Sequence, residues 1–151
     1  NTKGITPLMG TILLITFAVA VGVVILNFAG AAVEEEAVCT VDPQIQLVNI
    51  SGQLQICYDF VGKALKFTVE NGVVSPVGGL VVNVIGTDKA HTFEINDAKM
   101  PRAGSYVAKL QYDFAIGKAI RQVKITPKIR LQDSEEICVD KEVIVENIQG
   151  C

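Results

Sequence analysis

ITPLMGTILLITFAVAVGVVILNFAGAAV, residues 5–33, holds about 29 consecutive positions without a charged side chain, and Glu34-Glu35-Glu36 ends the run. As a helix this stretch would extend roughly 44 Å, more than the apolar core of a bilayer at about 30 Å. Leu, Ile, Val, Phe and Ala fall all round the helical circumference, so no polar face exists and a soluble amphipathic helix is excluded. Thr6-Pro7 suits a helix start, because Thr caps well and Pro tolerates the first turn. The run is too long for a cleavable secretory signal and lacks a small-x-small site followed by polar sequence. Lys3 before the run and the glutamates after it put the N-terminus on the cytoplasmic side and the rest outside.

Outward from this segment the chemistry changes. The 151 residues carry 13 Lys and Arg against 16 Asp and Glu, a net charge of -3, which gives no electrostatic reason to bind nucleic acid. Half of the residues are hydrophobic and only 19% charged, which excludes intrinsic disorder. From Thr40 onward short alternating segments predict strands. Ile45 and Leu47 alternate with Gln44 and Gln46; Leu54, Ile56 and Tyr58 alternate with Gln53, Gln55 and Cys57, with Ser51-Gly52 as the hairpin turn between them. Leu65, Phe67 and Val69 form the next, ending at Asn71-Gly72. Further strands are expected at residues 80–85, 91–95, 106–112, 119–125, 128–131 and 142–148, with breaks near 76–79, 101–104, Gly117 and Pro127. The predicted class is therefore α+β: a long N-terminal hydrophobic α-helix (5–38) followed by an all-β, immunoglobulin-like sandwich head (39–151).

Lys3-Gly4-Ile5-Thr6-Pro7-Leu8-Met9-Gly10-Thr11-Ile12-Leu13-Leu14 resembles the processing region and helix start of archaeal type IV pilins and their archaellin relatives. That family has a basic residue and Gly before an apolar residue, Ser or Thr, then Pro, a long apolar helix and a β-rich head. The resemblance covers the first ~35 residues by motif and the head only by class. Bacterial type IV pilins usually have Glu at the fifth position of the mature helix, where this chain has Met9 or Gly10, which favours the archaeal branch. The resemblance implies a prepilin (class III signal) peptidase cutting after Gly4, storage in the membrane, and extraction by an assembly ATPase and membrane platform protein into a helical filament of identical copies. Residues 1–4 would be a leader remnant or a retained N-terminus. Adhesion would be the filament's task; an archaellin, or a membrane-anchored exterior domain binding an envelope partner, is the alternative.

A segment apolar on every side can be buried first by lipid and then by neighbouring copies. Gly10, Ala18, Gly22, Ala29 and Gly30 would allow close helix approach, although a single-span anchor also tolerates small residues. Cys39, Cys57, Cys138 and Cys151 all lie on the expected outer side, where disulfides persist. Three pairings are possible; Cys39 with Cys138 and Cys57 with Cys151 is preferred, because it ties the head's start to its late strands and pins its last residue, at about 4 kcal/mol or more each in the chain-entropy model. Asn49-Ile50-Ser51 is an N-glycosylation acceptor at the expected hairpin.

Nothing points to an enzyme or a cofactor. His91 has no partner constellation, and the cysteine spacings contain no Cys-x-x-Cys pair that the single His91 would complete into a usual zinc set. Asp133, Glu135 and Glu136 lack the spacing of a calcium loop and read as a solvated loop. Asp59 and Asp113 read as loop or sheet-edge carboxylates. No nucleophile elbow or phosphate loop is present.

Overall fold

The computed structural model describes residues 6–32 and 39–151, in two compact units divided after Glu36. The first contains helix α1, Thr6–Ala32, 27 residues long with Pro7 in its first turn. Val, Ile and Thr are modest helix formers in water, but in an apolar medium a helix is the conformation that satisfies every backbone group within its own segment. Two of its three threonine hydroxyls follow the same rule: Thr11 Oγ1 donates to the Leu8 carbonyl at 2.8 Å and Thr16 Oγ1 to that of Leu13 at 2.9 Å.

The second unit is mostly β, built from two antiparallel sheets and a small hairpin. In the first sheet β5 (Ala64–Asn71) is central. One of its edges pairs with β4 (Ile56–Asp59) and β1 (Ile45–Leu47), and the other with β8 (Ser105–Gln111). In the second sheet β9 (Ile120–Arg130) pairs on one side with β6 (Gly79–Gly86), which is followed by β7 (Ala90–Ile95). Its other side is shared by β10 (Glu135–Ile137) and β11 (Val143–Glu146). The hairpin joins β2 (Asn49–Ile50) to β3 (Gln53–Leu54). Period-two alternation sends Leu65, Phe67 and Val69 from β5, Leu80, Val82 and Val84 from β6, and Val123 and Ile125 from β9 into one buried cluster.

The Ser51-Gly52 turn has positive φ at both residues, 54° and 84°, the type I′ geometry that matches strand twist. At Gly86, where β6 leaves β9 in a bulge, a Cβ would collide with the Gly117 carbonyl and the Tyr112 hydroxyl, so only glycine fits.

Three local expectations are corrected. Pro127 does not break its strand: β9 runs through it, opposite Leu80. Its carbonyl accepts from Cys138 N at 2.9 Å, and in an extended strand a residue's N and O point to the same side. The missing N–H therefore lies at the junction of β10 and β11, outside the β6 ladder. Residues 54–58 are not one strand; they divide at Gln55, Leu54 pairing with Asn49 and Ile56 with Phe67. Asp113 is a loop carboxylate, as expected, and from there caps a short helix, α2 (Phe114–Gly117), by accepting from Ala115 N at 2.8 Å. Glu135 and Glu136 lie in β10 rather than in a loop.

Candidate assembly helix and disulfide-closed head

Lys3, Gly4 and Ile5 lie outside the described residues; Thr6 and Pro7 open α1. The stretch Thr6–Asn27 has a mean hydropathy of 2.7. It has the length and composition of a membrane anchor or a signal sequence, and the disulfides of the head suit an extracellular protein. Ala18 and Gly22 lie one turn apart on one face, whereas Gly10 is about 80° round the helix from Ala18. A Cβ at Gly10 or Gly22 would meet nothing within 4 Å. Ala29 and Gly30 belong to the helix, but their surroundings lie outside the described residues.

The head is closed at both ends. Cys39 is bonded to Cys138 with a Cα separation of 5.5 Å, and Cys57 to Cys151 at 4.9 Å. Around the first bridge, Lys141 Nζ meets Asp42 Oδ1 at 2.8 Å, which lowers the Asp42 pKa and raises that of Lys141. Glu136 Oε2 accepts from Thr40 N at 3.2 Å and Thr40 Oγ1 at 3.0 Å. Beside the second bridge the C-terminal residues run parallel to β4: Tyr58 N donates to the Gln149 carbonyl at 2.8 Å and Cys151 N to the Tyr58 carbonyl at 2.9 Å. This short pairing covers backbone groups that an edge strand would otherwise offer to another chain. Asn49 is exposed on the β2–β3 hairpin, as glycan attachment requires.

Two constellations escaped the reading of the sequence. Lys128 is almost fully buried, and its ammonium meets the Glu94 carboxylate, Asn96 Oδ1 at 2.8 Å and Glu135 Oε2 at 3.0 Å. Its hydrogen bond to Glu94 raises the Lys128 pKa; the bond from Lys128, helped by Arg130, lowers that of Glu135. Glu135 is thus committed to two cations and Glu136 to Thr40, so these two carboxylates have structural partners. The second constellation is aromatic. Tyr58 packs against Phe114 with ring centroids 4.4 Å apart and planes tilted by 49°, and Phe60 lies 5.4 Å from Phe114. His91 sets its ring edge-on to Tyr112 at 5.6 Å, in a shallow cavity with Lys63, Gln111 and Asp113. Among the described residues no three His, Cys, Asp or Glu side chains are placed to hold a metal ion.

Comparison with family models, with curated proteins and with solved structures finds no match for this chain.

Proposed function

We propose that this chain is the structural subunit of an archaeal type IV pilus-like extracellular filament, polymerising through α1 and serving adhesion, not an enzyme. The observation that carries the reading is a 27-residue helix apolar on every side that precedes, in sequence, a separate disulfide-closed β unit. Its surface suits lipid before assembly and other copies afterwards, a requirement that an ordinary soluble helix cannot meet. The Lys3-to-Pro7 sequence supports processing by a prepilin peptidase, and with it an assembly ATPase and a membrane platform protein as partners.

The head is read as an immunoglobulin-like sandwich. Its strand orders, β4–β5–β8 and β11–β9–β6–β7, correspond to the A-B-E and G-F-C-C′ arrangement of that architecture. Asn49 is read as an outward-facing glycan site. The competing reading is a membrane-anchored exterior protein, favoured by the simple sufficiency of Thr6–Asn27 as a span.

Mechanical shearing of cells separates the two. A filament subunit is the dominant protein of the released fibres; an anchored protein stays with the membranes.

A further inference from the structure

The two disulfides of the head sit in different surroundings. Cys138 is completely buried and Cys39 half-buried. Their bridge is held from both sides: Cys138 N donates to the Pro127 carbonyl at 2.9 Å, and Thr40, next to Cys39, is tied through its N–H and hydroxyl to Glu136. Cys151, in contrast, is exposed and Cys57 half-buried, and both line a groove of about 600 Å³ together with Gln55, Lys66 and Gln149.

The chain reaches Cys151 through a short strap. At Asn147 the backbone has a φ of 57°, a left-handed conformation that Asn tolerates, and Ile148 packs against the core. Residues 149–151 are exposed and run beside β4, with Tyr58 N donating to the Gln149 carbonyl and Cys151 N to the Tyr58 carbonyl. Gly150 comes so close to Phe60 that a Cβ there would fall 2.9 Å from its ring.

We propose that the Cys57–Cys151 bridge is a thiol-exchange site: a dithiol reductant opens it in the folded head, and its opening releases residues 149–151 from β4 while the Cys39–Cys138 bridge stays closed. Exchange requires a thiolate to reach one sulfur of the bond, and the exposed Cys151 offers that approach where the buried Cys138 does not. The thiolate of the dithiol forms a bond to Cys151 Sγ, and the bond between the two cysteine sulfurs breaks. Its electron pair stays on Cys57 Sγ, which takes a proton from solvent. The second thiol of the reductant, as a thiolate, then displaces Cys151 as a thiolate, which is protonated in turn. The dithiol ends as a disulfide, two electrons having passed from it to the two cysteines.

Reclosure distinguishes the bridges further. Once Cys151 is free, the backbone pairing beside Tyr58 is all that keeps the strap near Cys57, so the effective concentration of one thiol at the other falls. At the first bridge the hydrogen bonds of Cys138 and Thr40 hold both cysteines in place, and an opened bond closes again. Release of the strap leaves the Tyr58 N–H and C=O facing outward as on an unpaired edge strand, and uncovers the side of Phe60 that Gly150 shields. The oxidised bridge thus sets whether β4 can pair with an extended segment of another chain, and it does so whether or not the chain builds a filament.

For the test, the full chain, oxidised and held in detergent, is treated with dithiothreitol at neutral pH for increasing times, quenched and alkylated. Labelled peptides are identified by mass spectrometry. Cys57 and Cys151 should be alkylated at least about tenfold faster than Cys39 and Cys138. Amide hydrogen exchange in the partly reduced protein should rise in peptides containing Tyr58 and residues 149–151 and stay unchanged in β5 and β9. Cys57→Ser combined with Cys151→Ser should show the same exchange pattern with no reductant added. Equal rates at the two bridges, or earlier labelling of Cys39 and Cys138, overturn the proposal. So does labelling of Cys57 and Cys151 without faster exchange at Tyr58, which would leave the strap in place. A double serine variant that fails to fold with Cys39–Cys138 closed overturns it too, because the strap would then be needed for the whole head.

Discussion

Tyr58 donates its hydroxyl hydrogen to the carbonyl of Tyr112 at 2.6 Å, both residues being buried, the first in β4 and the second just past the end of β8. The same Tyr58 backbone holds the C-terminal residues, so one position links the core, the aromatic cluster and the closing disulfide. Tyr58→Phe keeps the ring but leaves the Tyr112 carbonyl without this donor. The expected cost is about 1–2 kcal/mol. Denaturant unfolding of the oxidised protein, variant against wild type at one pH, measures it.

The two bridges make the head short under tension. Between its first and last cysteines a pulling force passes from Cys39 through Cys138, and only the thirteen residues from there to Cys151 can extend. At about 3.6 Å per residue this limits the contour to roughly 47 Å, against roughly 400 Å after reduction. Single-molecule stretching between attachment points at the head's two ends checks the difference. Oxidised molecules that release the longer length would show that the bridges are not closed.

Asp59 gives a pH signature. Its carboxylate is held down to about 2, from an ordinary 3.8, first by the Gly62 N–H and then by Lys66. A group whose folded pKa is depressed contributes stability above its unfolded value and loses that contribution as pH falls through the folded one. The thermal midpoints of wild type and Asp59→Asn should therefore be separated by a constant gap above about pH 5. The gap should shrink between about pH 4 and 2. A gap that persists at pH 2 would assign the effect to shape rather than charge.

How much of this was legible depended on whether a local signal had a single physical cause. The charge-free run 5–33 permits one structure in an apolar medium, and α1 follows it from Thr6 to Ala32. Alternation in Leu65, Phe67 and Val69 marks β5 because one face is buried, and Ser51-Gly52 marks a turn because both residues accept positive φ. Pro127 misled because its cost depends on which side of the strand its nitrogen faces, a fact of pairing rather than of composition. Lys128 was invisible for the same reason: its partners Glu94 and Asn96 come from across the sheet and touch it only once β6 separates β7 from β9. Of the candidate site, the apolar character of α1 and the preferred cysteine pairing could be read, whereas the aromatic cluster forms only when Phe114 of α2 is brought against Tyr58, Phe60 and Tyr112.

Gly22 separates lipid burial from packing between copies. A Cβ at this position meets nothing within 4 Å, so Gly22→Leu should leave the helix and its membrane insertion unchanged. Added volume at a close helix contact is costly, while lipid accepts it. The expected outcome is a severe loss of fibres at unchanged membrane level, scored by comparing the sheared and membrane fractions. Normal fibres from this variant would remove Gly22 from any packed interface.

The most direct test is a helical reconstruction by electron cryomicroscopy of fibres sheared from the native cell. The expected density has the helices of residues 6–32 bundled along the fibre axis, with the Cys39-to-Cys151 heads forming the outer layer. Fibres whose axis is built from heads, with α1 on the outside or embedded in lipid, would contradict polymerisation through the helix.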